Sequence, residues 1–262
     1  VGENSKIEWC DNSWNPWVGC TAVSPGCDNC YARAQVTRYG QDFATLRRTS
    51  KANWRKPLKW NRDAEVVGDR PKVFCGSWCD VFDNQAPQEW RTDVFDLIDA
   101  TPHLDWLLLT KRPQNIAKLM PPFFWEIGET GSARANVWIG TTVENQAEAD
   151  RRIPHLLAVP AVVRFLSCEP LLGRIDLAGT IRRAVLSGGI TKGSSPKHPI
   201  SGVIAGGESG PNRRRVNLDH MRALRDQCAA AGVPFFGKQD DKKHDLPPDL
   251  RIRQFPEVKH HG

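Results

Sequence analysis

Three cysteines, Cys20, Cys27 and Cys30, stand in the stretch WNPWVGCTAVSPGCDNCYAR with the spacing C-x6-C-x2-C, across a turn that carries Pro25 and Gly26. Two cysteines separated by two residues can bite one metal centre, because the turn between them points both sulfurs the same way. The third can reach the same centre across the longer gap. A three-thiolate set suits a [4Fe-4S] cluster with one iron left open for a further ligand. A structural zinc ion takes four ligands, so Cys10 or a histidine would have to complete that alternative. Three unligated core thiols are the remaining reading, and a Pro-Gly loop is a poor place to bury them.

The chain has eight cysteines, the other five being Cys10, Cys75, Cys79, Cys168 and Cys228. Its first residues, VGENSKIEW, lack a basic segment followed by an apolar one, so the expectation is a cytoplasmic protein. In that reducing compartment cysteines serve as metal ligands, reactive thiols or core residues rather than disulfides. No apolar run approaches the roughly 18 to 20 residues of a membrane span, so no membrane is expected among its partners.

With a net charge of +6 and 25% charged residues, the chain leans toward polyanions. Two segments sharpen that lean. KANWRKPLKW alternates cations, Lys51, Arg55 and Lys56 among them, with Trp54 and Trp60, and PNRRRVN clusters Arg213, Arg214 and Arg215 beside a turn. Cations bind phosphates and indoles stack on unpaired bases, which makes these residues candidates for contacting nucleic acid. The alternative is that Trp54 and Trp60 pack a loop onto the core.

What positions these groups is a cadence of short apolar runs, polar turns and amphipathic stretches. The runs at 72–76, 105–110, 136–142, 161–167, 201–207 and 233–238 have strand length and are rich in β-branched or aromatic residues, as strands buried on both faces are. A further strand is expected near Trp14 to Val18, leading into the cysteine loop. Helical patterns fill 86–100, 145–159 and 217–232, the last ending at Gly232. Alternation of this kind implies parallel pairing through right-handed crossovers. The fold class expected is α/β, a partial or complete (β/α) barrel of about six to seven parallel strands, spanning 1–237 with a Cys-rich loop at 20–30. A doubly wound open sheet is the competitor. The barrel is favoured because nearly every run ends in reactive groups, as in GSWCD, LTKRP, GTTVEN, LSCEP and AGGESG, and a barrel gathers such ends at one face. The segment 187–201 reads as a mobile loop, 238–262 as an irregular tail, and the final His260, His261 and Gly262 as a disordered end.

The segments SKIEWCDNSWNPWVGCTAVSPGCDNCYAR, LTKRP, NVWIGTTVEN, FLSCEPLLG and GGESGPNRR together resemble the phage-associated three-cysteine-motif protein family, which looks like a branch of the radical S-adenosylmethionine (SAM) superfamily. The resemblance runs from about Lys6 to Gln239. It implies a [4Fe-4S] cluster on Cys20, Cys27 and Cys30, SAM on the open iron, and reductive cleavage to a 5′-deoxyadenosyl radical that abstracts a substrate hydrogen. An electron donor such as a flavodoxin or ferredoxin, and a host cell carrying phage or prophage, are implied with it. In the superfamily a Gly-Gly-Glu segment after the second strand holds the SAM amino group. That position here is GSWCD, which brings in Ser77, while Gly206, Gly207 and Glu208 supply a Gly-Gly-Glu later in the chain.

Other candidates follow from the strand ends. The SAM ammonium and ribose hydroxyls need acceptors, and Glu144, Asn145, Glu169 and Glu208 all follow strands that a barrel would make converge. Gly206 and Gly207 would let the backbone approach the adenine closely. Each carboxylate has a plainer alternative: Glu208 as a helix cap, Glu144 as the partner of a surface arginine. Thr110, Lys111 and Arg112 could take a carboxylate or phosphate. Cys79 or Cys168 could face the cavity and give a hydrogen atom to a product radical, whereas Cys228 sits at an apolar helical position. The function expected is a radical SAM enzyme modifying a nucleic-acid base or nucleotide. The alternative is a zinc- or cluster-stabilised nucleic-acid-binding module without SAM chemistry. Oligomeric state is unknown from the sequence.

Overall fold

Seven short strands lie side by side in the order in which the chain makes them: β1 (Asn12–Trp14), β2 (Lys72–Cys75), β3 (Asp105–Thr110), β4 (Val137–Thr142), β5 (Val163–Cys168), β6 (Gly202–Ala205) and β7 (Phe235–Gly237). All neighbouring pairs are parallel. The main helices are α1 (Tyr31–Arg38), α2 (Lys56–Val67), α3 (Gln88–Asp99), α4 (Gln146–Leu157), α5 (Leu177–Leu186) and α6 (Leu218–Ala231). This computed structural model describes residues 2–121, 134–188, 199–241 and 245–258. Most of the expected loop at 187–201, and His260, His261 and Gly262, lie outside the described residues.

The sheet curls into a partial (β/α) barrel that leaves β1 and β7 as edges. Side chains alternate across it, as the pleat requires. On the convex side Trp14, Val73, Trp106, Leu108, Ile139, Leu166 and Val203 join side chains from α2 to α6 in one buried cluster. On the concave side Phe74, Leu107, Trp138, Phe165, Ile204 and Phe236 form a second, with Trp9 laid over it. A doubly wound sheet would carry helices on both faces; here α2 to α6 all pack on one. Phe165 fills the middle of the bowl because Gly140 leaves it room: a Cβ there would stand 2.4 Å from its ring.

Each edge of the sheet meets a single antiparallel bridge, Gly2 to Ser13 on β1 and Arg253 to Phe236 on β7. The Trp9 ring lies 4.5 Å from that of Phe74, and Phe255 lies 5.1 Å from Phe236. Arg253 reaches Glu8 at 2.7 Å, so the two flanking segments also hold each other. Among the described residues beyond β7 the chain is irregular apart from one 3-10 turn at Pro248–Leu250, and Leu246 and Leu250 are buried.

Two expectations need correction, and one helix is added. The first strand is Asn12–Trp14 rather than 14–18, because Pro16 has no N–H to offer a ladder; Trp17–Val18 pairs instead with Arg47–Arg48 in a separate antiparallel ribbon. The basic, Trp-containing stretch is helical: Ser50 caps Lys51–Trp54, Pro57 opens the first turn of α2, and Gly68, at φ 69°, ends it. Helix α5, which the sequence reading passed over, begins at an Asp176 carboxylate that accepts from the Gly179 N–H.

Candidate functional site

The C-terminal strand ends surround a cavity of about 800 Å3, lined by residues of β1 to β5, among them Ser13, Thr110, Thr142 and Ser167, and by Gly207 and Lys238 just past β6 and β7. Trp9 and Phe74 of the aromatic bowl reach its lining, as does Leu109, and its wall carries Cys20, Cys27 and Cys30. The loop bearing these thiols is fastened from two sides. The Ser24 hydroxyl donates to Glu144 at 2.5 Å. From the segment that follows β6, Glu208 accepts from the Asn29 side chain at 3.1 Å and from the Arg214 N–H at 2.6 Å, while Arg214 donates to the Pro25 carbonyl at 2.7 Å. Close approach depends on Gly210, where a Cβ would sit 2.5 Å from the Asn29 carbonyl oxygen. Burial pushes Glu208 up, yet the Arg214 and Asn29 hydrogen bonds outweigh it and hold the carboxyl below its ordinary range.

Cys20 is held from below. Arg112, 4% exposed, donates from Nη1 to the Cys20 sulfur at 3.6 Å and to Asp80 at 2.8 Å. Its Nη2 donates to the Thr21 carbonyl at 2.7 Å and pairs with Asp83 at 3.1 Å. Burial, then Asp80, push the Cys20 thiol up to about 12 against the pull of Arg112. Asp83 is shifted down, because hydrogen bonds from Gln85 and Thr21 and the charge of Arg112 outweigh its burial.

Among the described residues no group of three or more His, Cys, Asp or Glu side chains could hold a single metal ion. The three thiols share the wall of one cavity instead. A four-iron cluster takes each thiolate on a different iron, so its ligands ring a volume rather than meet at a point. The donor set of Cys20, Cys27 and Cys30, with an N–H directed at one sulfur, fits such a cluster.

Of the expected cofactor contacts, Ser77, Glu169, Gly207 and Glu208 line the cavity. Glu169 pairs with Lys238 at 2.9 Å and accepts from the Trp9 indole at 3.2 Å. Glu208 is engaged in the loop clamp just described. Glu144 and Asn145 are not in the lining. Glu144 is fully buried against Arg152, and Asn145 caps α4 by accepting from the Glu148 N–H. Gly206 makes room for Glu169, whose carboxylate would stand 2.7 Å from a Cβ there. Cys79 lines the cavity, whereas Cys168 has the opposite strand parity to Ser167 and faces the helices.

The expected nucleic-acid residues divide similarly. Trp60 is 4% exposed and donates to Glu3 at 2.9 Å; Trp54 packs edge-on against Trp14 with Arg48 over its ring. Both indoles therefore pack rather than stand ready to stack on bases. Lys51 and Arg55 are exposed, and Lys56 is half-buried. Arg213 and Arg215 are exposed on either side of Arg214, which serves the clamp.

The sequence reading missed Trp9, Asp80, Lys238 and Ser167 as parts of the site. Asp80 and Ser167 had a signal, since both sit in strand-end segments, GSWCD and LSCEP. Trp9 and Lys238 had none, because their positions depend on how the segments beside the two edge strands fold over the bowl.

A family described as a protein of unknown function (DUF5131) matches residues 4–247. No curated protein and no solved structure gives a significant match to the chain.

Proposed function

The chain belongs to that family, whose description names no activity, and we propose that its cavity is the active site of a radical SAM enzyme. The observation that carries the reading is the placing of Cys20, Cys27 and Cys30 on one wall of a cavity built from the strand ends of a partial barrel. In this reading those cysteines hold a [4Fe-4S] cluster. When bound, such a cluster supplies the electron, delivered by a flavodoxin or ferredoxin, for reductive cleavage of SAM to the 5′-deoxyadenosyl radical that abstracts hydrogen.

The chain's own residues bind, orient and shield. Three cations in or beside the wall are neutralised by carboxylates: Arg112 by Asp80, Lys238 by Glu169 and Arg214 by Glu208. Lys111 differs, because its ammonium donates to the Thr142 hydroxyl at 3.4 Å and has no carboxylate partner among the described residues. It would take an anionic group, the carboxylate of SAM or a phosphate of the substrate. Glu169 and Ser77 would accept from ammonium and ribose hydroxyls. The aromatic bowl closes the barrel below and keeps water from that side. Cys79, on the wall, would be the thiol placed to return a hydrogen atom. For the substrate we favour a nucleic-acid base or nucleotide. The net charge of +6 and the exposed Arg213 and Arg215 beside the loop clamp support it. A base in a duplex would have to flip out to reach the cavity.

Anaerobic reconstitution with iron and sulfide tests the reading. The protein should turn brown, carry iron and sulfide in equal amounts, and release 5′-deoxyadenosine from SAM when dithionite is added. C27A should lose the colour. A colourless protein that takes up zinc and releases no deoxyadenosine would refute it.

A further inference from the structure

We propose that Arg112 raises the reduction potential of the cluster through its contact with Cys20, an inference that rests on the cluster reading above. Among the described residues Cys20 alone of the three thiols accepts from a guanidinium, at 3.6 Å; Cys27 has the Ser24 hydroxyl at 4.0 Å. Arg112 cannot turn away. Asp80 is itself fixed by the Thr110 hydroxyl at 2.8 Å and the Phe82 N–H at 3.0 Å, and Asp83 by the Thr21 N–H at 2.9 Å and the Gln85 N–H at 3.0 Å. The donor is therefore locked toward the sulfur by two buried carboxylates.

Reducing the cluster by one electron adds negative charge that spreads onto its thiolate sulfurs. A fixed N–H donor and a positive charge beside one of those sulfurs stabilise the reduced state more than the oxidised one, which raises the potential. Asp80 and Asp83 act in the opposite sense. The three groups form one buried device, with the guanidinium between the sulfur and two opposing charges. Its effect on the cluster is the balance between them, and removing either sign should move the potential in opposite directions. A purely structural role for Arg112, holding Thr21 and the loop in place, predicts no such inversion.

The test is a potentiometric titration of the reconstituted protein, followed by the electron paramagnetic resonance signal of the reduced cluster, for wild type, R112M, R112K and D80N. At the wild-type midpoint the reduced-to-oxidised ratio should fall about tenfold in R112M, equivalent to 59 mV for a one-electron couple. D80N should shift upward. R112K, which keeps the charge but not the planar fork, should lie between wild type and R112M. If R112M does not fold, R112K and D80N still carry the sign comparison. Midpoints that stay at the wild-type value, or that move in the same direction in both variants, would overturn the role of Arg112 while leaving the cluster reading intact. A wild-type protein that assembles no cluster would remove the cluster reading, and this inference with it.

Discussion

Replacing Glu144 by alanine should cost the protein much of its stability, and the cost can be worked from its surroundings. The Glu144 and Arg152 side chains are 0% and 1% exposed and meet at 2.8 Å. Removing one member of a buried pair costs roughly 3–5 kcal/mol, because the other charge stays behind in a medium that solvates it poorly. Glu148, 2.9 Å from Arg152, remains as a partner and puts the loss near the lower end. Losing the Ser24 hydrogen bond adds about 1 kcal/mol. The sum, about 4 kcal/mol, lowers the midpoint of thermal unfolding by about 8–16 °C for a chain of this size. Circular dichroism melts of wild type, E144A and the double variant E144L/R152M measure it. The double variant should recover most of the loss, since Glu148, the charge that remains, keeps its pairing with Arg151. A loss below about 1 kcal/mol in E144A, or a double variant no more stable than E144A, would refute the argument. An unchanged melt with SAM binding abolished would do so in another way, by returning Glu144 to the cavity wall.

W60A should destabilise by about 3–5 kcal/mol, the cost of emptying a buried indole site, and leave affinity for single-stranded DNA in a filter-binding assay unchanged. G140A should cost about 1–3 kcal/mol in urea unfolding, because its Cβ would press on the Phe165 ring. Acid should loosen the cysteine loop: Glu208 and Asp83 have folded pKa values below their unfolded ones, despite burial, Glu208 through the hydrogen bonds from Arg214 and Asn29, and Asp83 through those from Gln85 and Thr21 together with the charge of Arg112. Their contribution is present above the unfolded carboxylate range near pH ~4 and is lost as pH falls through the depressed folded values. E208Q should flatten part of that acid limb in stability measured against pH.

The strands were legible because burial on both faces writes itself as unbroken apolar runs such as DWLLLT and VVRFLS, and the helices because Leu218, Met221, Leu224 and Cys228 keep helical spacing. What could not be read was the direction of a side chain one or two positions past a strand. Ser167 and Cys168 are adjacent, yet one faces the cavity and the other the helices. Glu144 follows Thr142 with the parity that points inward, but the chain has already turned into the Asn145 cap, and the carboxylate is drawn to Arg152. In the KANWRKPLKW stretch the alternation of cations and indoles suggested a nucleic-acid surface. The spacing of Pro57, Trp60 and Ala64 carried the helix that buries them.

The sheet begins and ends on strands of three residues, each already bridged by a segment of its own chain. A second molecule thus finds almost no free ladder to extend, so the open barrel pays little for its gap in the form of filament growth or cross-chain pairing. Shape complementarity between side chains, rather than strand addition, is then the route by which any protein partner would dock there.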